Sequence, residues 1–188
     1  MTTNKPARGR PRGFDAEEGL AAAQAMFARD GYDAVGVADL CARLGVKPPS
    51  LYAAYGSKRA LFEKAVSRYG AQSAAAYGTA LDDAVNPVDL KRRVLETALD
   101  LYLADGPQGC LVLANLSATA DAEIRAALAA IVSDRQATMA GRARALGASP
   151  AEAEALVSAI SVAMMGLSAA VRAGMDRASL QAALHQLL

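Results

Sequence analysis

Tryptophan is absent from this 188-residue sequence, histidine occurs once and cysteine only twice. Each shortage removes a class of chemistry. Cys41 and Cys110 lie far apart and match no CxxC or Cys/His ligand spacing, so neither a disulfide framework nor a zinc site is expected. The lone His185 has no sequence neighbour that would make it a ligand or a general base, and is expected in solvent or at an interface. No Walker loop, GxGxxG or metal motif occurs, so catalytic residues, metal ligands and cofactors are all expected to be absent. No uninterrupted apolar run reaches the roughly 18 residues of a membrane span, and the N-terminus is charged without an apolar signal core. A cytoplasmic protein with no membrane partner is the expectation.

What is present points to helices. The chain is 53% hydrophobic and 21% charged, strand-favouring residues are sparse, and alanine, leucine, glutamate and arginine dominate. Net charge is only +1, but residues 1–70 hold 11 basic against 7 acidic side chains, whereas residues 71–188 hold 9 against 12. A small basic head on a neutral-to-acidic body follows. The opening "MTTNKPARGRPRG" carries Lys5, Arg8, Arg10 and Arg12, no acid and almost nothing to bury, which predicts a disordered basic arm over residues 1–13.

Asp15 can cap a first helix over 15–30, on which Leu20, Ala23, Met26 and Phe27 recur at helical spacing before Gly31 stops it. A short second helix is predicted over 37–44, ended by Gly45, and Pro48 and Pro49 open a third, since their fixed φ suits a first turn. Two short helices around a tight glycine turn make a helix-turn-helix. Leu51 and Tyr55 share one face of the third helix and should pack on Leu40, Leu44 and Phe27, leaving Ser50, Tyr52 and Ala53 exposed. Small and hydrogen-bonding side chains in a first turn suit entry into a major groove about 12 Å wide. Ser57 caps the next helix with Lys58 in its first turn. A cation there opposes the helix dipole, and a DNA phosphate would favour it.

From Phe14 to Tyr69, "FARDGYDAVGVADLCARLGV" followed by "SLYAAYGSKRALF" resembles the N-terminal DNA-binding domain of TetR-type transcriptional repressors. The resemblance implies an all-α fold of about nine helices. A three-helix DNA-binding domain, 14–69, would precede an effector-binding and dimerisation domain, 70–188. It further implies that Lys47, Pro48, Ser50, Tyr52 and Ala53 lie at double-stranded operator DNA, that Lys58 holds a phosphate, and that the arm with Arg8, Arg10 and Arg12 assists. Tyr55 stands where the family commonly has Phe, and Val37 where a polar residue is common.

Beyond Tyr69 only the layout matches. Helices are predicted to about 80, then over 87–104, 110–118, 122–146, 150–173 and 177–187. The eighth, "ALVSAISVAMMGLSAAVRAG", is apolar or small nearly all round, so it must be buried on more than one side. Ala159, Ala163, Gly166 and Ala170 would admit a close helix, and the resemblance implies a homodimer through it. An apolar or amphipathic small-molecule effector is implied for the body, with Tyr102, Cys110 and Met164 as candidate lining. Cys110 opens the sixth helix, where the dipole favours thiolate character, while Leu111, Val112 and Leu113 favour burial as packing. Three rival readings remain open at this stage. They are an enzyme or carrier using the body as an apolar site, a cysteine-based electrophile or redox sensor, and an architectural DNA binder without effector.

Overall fold

The computed structural model describes residues 15–104, 106 and 108–188. The basic arm, with Arg8, Arg10 and Arg12, lies outside the described residues. Among those described there are nine helices and no strand: α1 Ala16–Asp30, α2 Val37–Leu44, α3 Pro48–Tyr55, α4 Lys58–Asp82, α5 Pro87–Leu103, α6 Leu111–Ala118, α7 Ala122–Ala145, α8 Pro150–Arg172 and α9 Arg177–Leu187.

Local chemistry sets these boundaries. Asp15 accepts the Glu17 and Glu18 N–H groups, Ser57 accepts Ala60 N–H, and Asn86 accepts Asp89 N–H, so orphan donors at three N-termini are satisfied by side chains. Pro48, Pro87 and Pro150 each stand in a first turn, where no amide donor is needed. Gly36 brings no side chain to cap α2. The Asp39 carboxylate reaches back instead and accepts the Gly36 N–H at 2.9 Å. Gly45 ends α2 at φ 65°, in the left-handed region that glycine enters without a Cβ clash, and this turns the chain sharply into α3.

The head packs around an aromatic cluster. Phe27 and Phe62 meet edge to face with centroids 5.2 Å apart, and Tyr32 lies 4.9 Å from Phe62. Leu40, Leu51, Tyr55 and Leu61 are buried in the same core, whereas Leu44 is only half-buried. The Tyr55 hydroxyl donates to the Ala16 carbonyl at 2.7 Å, a bond that phenylalanine at this position would forgo. In the body, α8 packs on α5 and α7, and the 25-residue α4 runs unbroken from α1 in the head to α5 in the body.

Within its own chain helix α8 buries a single side, through Ala153, Val157, Ile160, Leu167 and Val171, and leaves the opposite side open, so burial of a second side would have to come from outside the chain. Among the described helices it alone is long and apolar enough to cross a membrane, with mean hydropathy 1.7, yet only 28% of that stretch is buried within this chain.

Candidate DNA-reading face and effector cavity

Lys47, Pro48, Ser50, Tyr52 and Ala53 are all exposed at the start and outer side of α3, while Leu51 and Tyr55 turn into the core. The helix therefore presents one continuous polar and small-residue face of the kind a groove admits. Tyr52 is 46% exposed, among the few large hydrophobic side chains left open to solvent. Lys58 is half-buried, with its Nζ 4.2 Å from the centroid of the Tyr32 ring. Its pKa falls below the ordinary lysine range because burial disfavours the ammonium, an effect that nearby Asp33 opposes. The dipole conflict expected for Lys58 is thus met within the fold by a cation–π contact, which also aims the side chain.

The head is tied to the body through α6. Asn115, 1% exposed, uses its whole side chain: Oδ1 accepts Tyr32 N–H at 2.6 Å, and Nδ2 donates to the Phe27 carbonyl at 3.0 Å and the Leu111 carbonyl at 2.8 Å. Beside it, Asp33 accepts from the Thr119 hydroxyl at 3.0 Å and from Ala120 N–H at 2.6 Å. Arg59 pairs with Glu123 across the same seam, and Arg172 donates to the Arg29 carbonyl at 3.1 Å. No local spacing marks Tyr32 or Asn115. A lone asparagine in the apolar run "LVLANL" is the one signal that could have drawn attention to this junction.

A cavity of about 380 Å³ opens within the body. Of the three candidate lining residues, Cys110 and Met164 border it and Tyr102 does not. Tyr102 lies behind the wall, 1% exposed, in the electrostatic neighbourhood of Cys110, Tyr77 and Tyr69. Helix α4 supplies much of the lining through Gly70, Ser73, Ala74, Tyr77, Gly78 and Leu81, a larger share than α5, whose contribution is Val94. Burial raises the pKa of Tyr69, Tyr77 and Tyr102 well above the ordinary phenol range, so all three remain protonated donors at neutral pH. Cys110 is the N-cap of α6 rather than its first residue and is 2% exposed, with its N–H donating to Ser168 Oγ at 2.9 Å. Gly109, at φ 70°, lets the chain pass close to α8: a Cβ there would sit 2.7 Å from the Ser168 carbonyl oxygen. Cys41 is buried in the head core.

On the open side of α8, Ala159, Val162, Met165, Gly166 and Ala169 are exposed, with Ala163 and Ala170 half-buried beside them. The anticipated small residues therefore belong to a broader apolar stripe in which Val162 is 70% exposed.

Comparison with known proteins gives this arrangement a family. The family model for bacterial regulatory proteins, tetR family, matches residues 20–65. A cysteine mutant of the TetR family transcriptional regulator CifR, solved with 26-bp double-strand operator DNA, superposes with TM-score 0.82 at 30% identity, over 95% of this chain and 97% of that one. The chain belongs to the TetR family. Two Escherichia coli (strain K12) proteins are also similar to this TetR-family chain. The HTH-type transcriptional repressor BdcR is 39% identical over 62% of this chain, and the repressor ComR is 33% identical over 59%. The match spans 60% and 54% of their respective lengths. The TetR-family match at 20–65 contains the whole of α2 and α3, and so the exposed face described above.

Proposed function

We propose that this TetR-family protein is a cytoplasmic, homodimeric transcriptional repressor that leaves a two-fold operator when a small molecule fills the cavity of its body. The observation that carries this reading is the division of α3, with Lys47, Pro48, Ser50, Tyr52 and Ala53 turned outward and Leu51 and Tyr55 inward. The head, 14–69, meets the DNA: α3 enters the major groove, Lys58 takes a phosphate, and Arg8, Arg10 and Arg12 add sequence-independent contacts. The body, 70–188, pairs with a second copy through the open stripe of α8, including Ala159, Ala163, Gly166 and Ala170. Pairing buries a surface too apolar to leave in water.

Two dimer geometries then suffice for control. One sets the two α3 helices about 34 Å apart, one turn of DNA, and an effector stabilises another spacing by binding it more tightly. The cavity wall reaches α6 at Val112 and Leu113, and α6 reaches the head at Asn115, so a shift of α6 bears directly on Tyr32 and the lysine above it. An enzyme or carrier draws no support from the relatives, both of which are repressors.

Footprinting of the purified protein on the DNA around its own gene tests this function. Protection of two inverted half-sites centred one helical turn apart, or a multiple of it, is the expected result. Protection without symmetry, or none, overturns it.

A further inference from the structure

Arg135 lines the cavity from α7, half-buried, and makes no hydrogen bond or ion pair with any other described residue. That sets it apart. The other half-buried arginines are all bonded: Arg59 to Glu63 and Glu123, Arg68 to Glu17 and Gln24, Arg92 and Arg93 to Asp89, and Arg142 to the Leu81, Asp82 and Ala84 carbonyls. A guanidinium withdrawn from water normally recovers its hydration energy from acceptors, and here none is supplied. Gly70 of α4 faces it across the lining, with a Cβ there falling 3.8 Å from Arg135 Nη2, an ordinary contact distance.

Behind the wall, the buried hydroxyls of Tyr69 and Tyr102 meet no oxygen or nitrogen partner among the described residues and lie near Cys110, while Tyr77 is the tyrosine that lines the cavity. Arg135 and Tyr77 line the same cavity, and the charge of Arg135 is felt at Tyr77 and at Tyr69 behind it. Among the described lining residues there is no carboxylate to answer them. The rest of the wall is largely apolar, with Leu81, Val94, Val132, Met139 and Met164. A volume of about 380 Å³ falls at the lower end of the ~300–1,000 Å³ range of small-molecule sites.

Building on the effector-cavity reading, we propose that the ligand is an amphipathic carboxylate, its anion held by Arg135 beside the cavity-lining Tyr77 and its hydrocarbon part by the apolar wall. One cation and neutral donors fit a single charge, and the planar guanidinium fork matches a carboxylate in two parallel bonds. A doubly charged phosphate would bring a second charge into an apolar space with no second cation to meet it.

Calorimetric titration of the full-length protein with octanoate, decanoate and 4-phenylbutyrate, each beside its primary amide, tests the assignment. The amides keep shape and apolar area and lose only the charge. At least one acid is expected to bind about tenfold or more tightly than its amide. Arg135→Gln should abolish that preference while keeping the amide affinity, and Arg135→Lys should retain part of it. Tyr77→Phe should weaken the acid more than the amide. Circular dichroism confirms that each variant is folded. Equal affinity of acids and amides for wild type, or a preference that survives Arg135→Gln, overturns the carboxylate and leaves the effector cavity standing. Failure of every acid and amide to bind overturns both, as does binding unaffected by the cavity-filling Ala74→Trp.

Discussion

The Asn115 side chain accepts the Tyr32 backbone N–H at 2.6 Å across 83 residues of sequence, and the Tyr32 ring in turn carries the Lys58 ammonium 4.2 Å above its centroid. Two contacts therefore connect a helix of the cavity wall to the side chain proposed to take a DNA phosphate.

Asn115→Ala strands the Tyr32 N–H and removes the donor to the Phe27 carbonyl. The expected loss is about 1–3 kcal/mol of stability for buried groups left unpaired. Operator affinity should fall further than global unfolding accounts for, because Tyr32 no longer has a fixed position. Thermal melts and anisotropy titrations on the same samples check this, and an unchanged melt with unchanged affinity would show the junction to be idle.

Tyr52→Ala and Lys58→Ala should both weaken operator binding and leave the fold intact, since Tyr52 is exposed and Lys58 half-buried at the end of α4. They differ in salt response. Lys58→Ala should lower the slope of log K against log salt by about 1, as for one lost phosphate contact, while Tyr52→Ala leaves the slope alone. Fluorescence anisotropy across a salt series separates the two, and wild-type behaviour in both variants would move the DNA face elsewhere.

Val162→Glu and Gly166→Glu place a carboxylate on the open stripe of α8 without disturbing its buried side. Both variants should remain folded and become monomeric, because an unpaired charge closed into a helix–helix contact costs several kcal/mol, of the order of ~3–5. Sedimentation velocity decides. A dimer in both variants would place the interface on another surface.

Cys110 and Cys41 are both buried, but only Cys110 lines the cavity. A small alkylating reagent such as iodoacetamide should label Cys110 ahead of Cys41 in the native protein, and a ligand occupying the cavity should slow that labelling. Peptide mass spectrometry over a time course gives the order. Labelling of Cys41 first would mean that the cavity does not admit small molecules from solvent.

Much of this architecture is legible along the chain because its determinants are local. Asp15, Ser57, Pro48, Pro87 and Pro150 act within one turn of themselves, and Gly45 fixes a single backbone conformation, so the helix ends fall within a residue or two of expectation. The outward set on α3 follows from a 3.6-residue period alone. The polar end of the cavity is different. Tyr77, Cys110 and Arg135 stand on α4, at the cap of α6 and on α7, and nothing in their spacing announces that they line one cavity. For helix α8 the apolar circumference says only that the helix is covered; that a second copy does the covering is implied by the family resemblance and not by the residues themselves.

The close passage of Gly109 over Ser168 has one more consequence. It fastens the cap of α6, which lines the cavity, to the same helix whose open side is the proposed contact with a second copy. If α8 is shared as proposed, displacement of the cap on filling one cavity would move a helix that both subunits must accommodate, and the affinity of the second cavity would depend on the first. Ligand titrations of the dimer should then depart from a simple hyperbola, and repression should lift over a narrower range of effector concentration than independent sites allow.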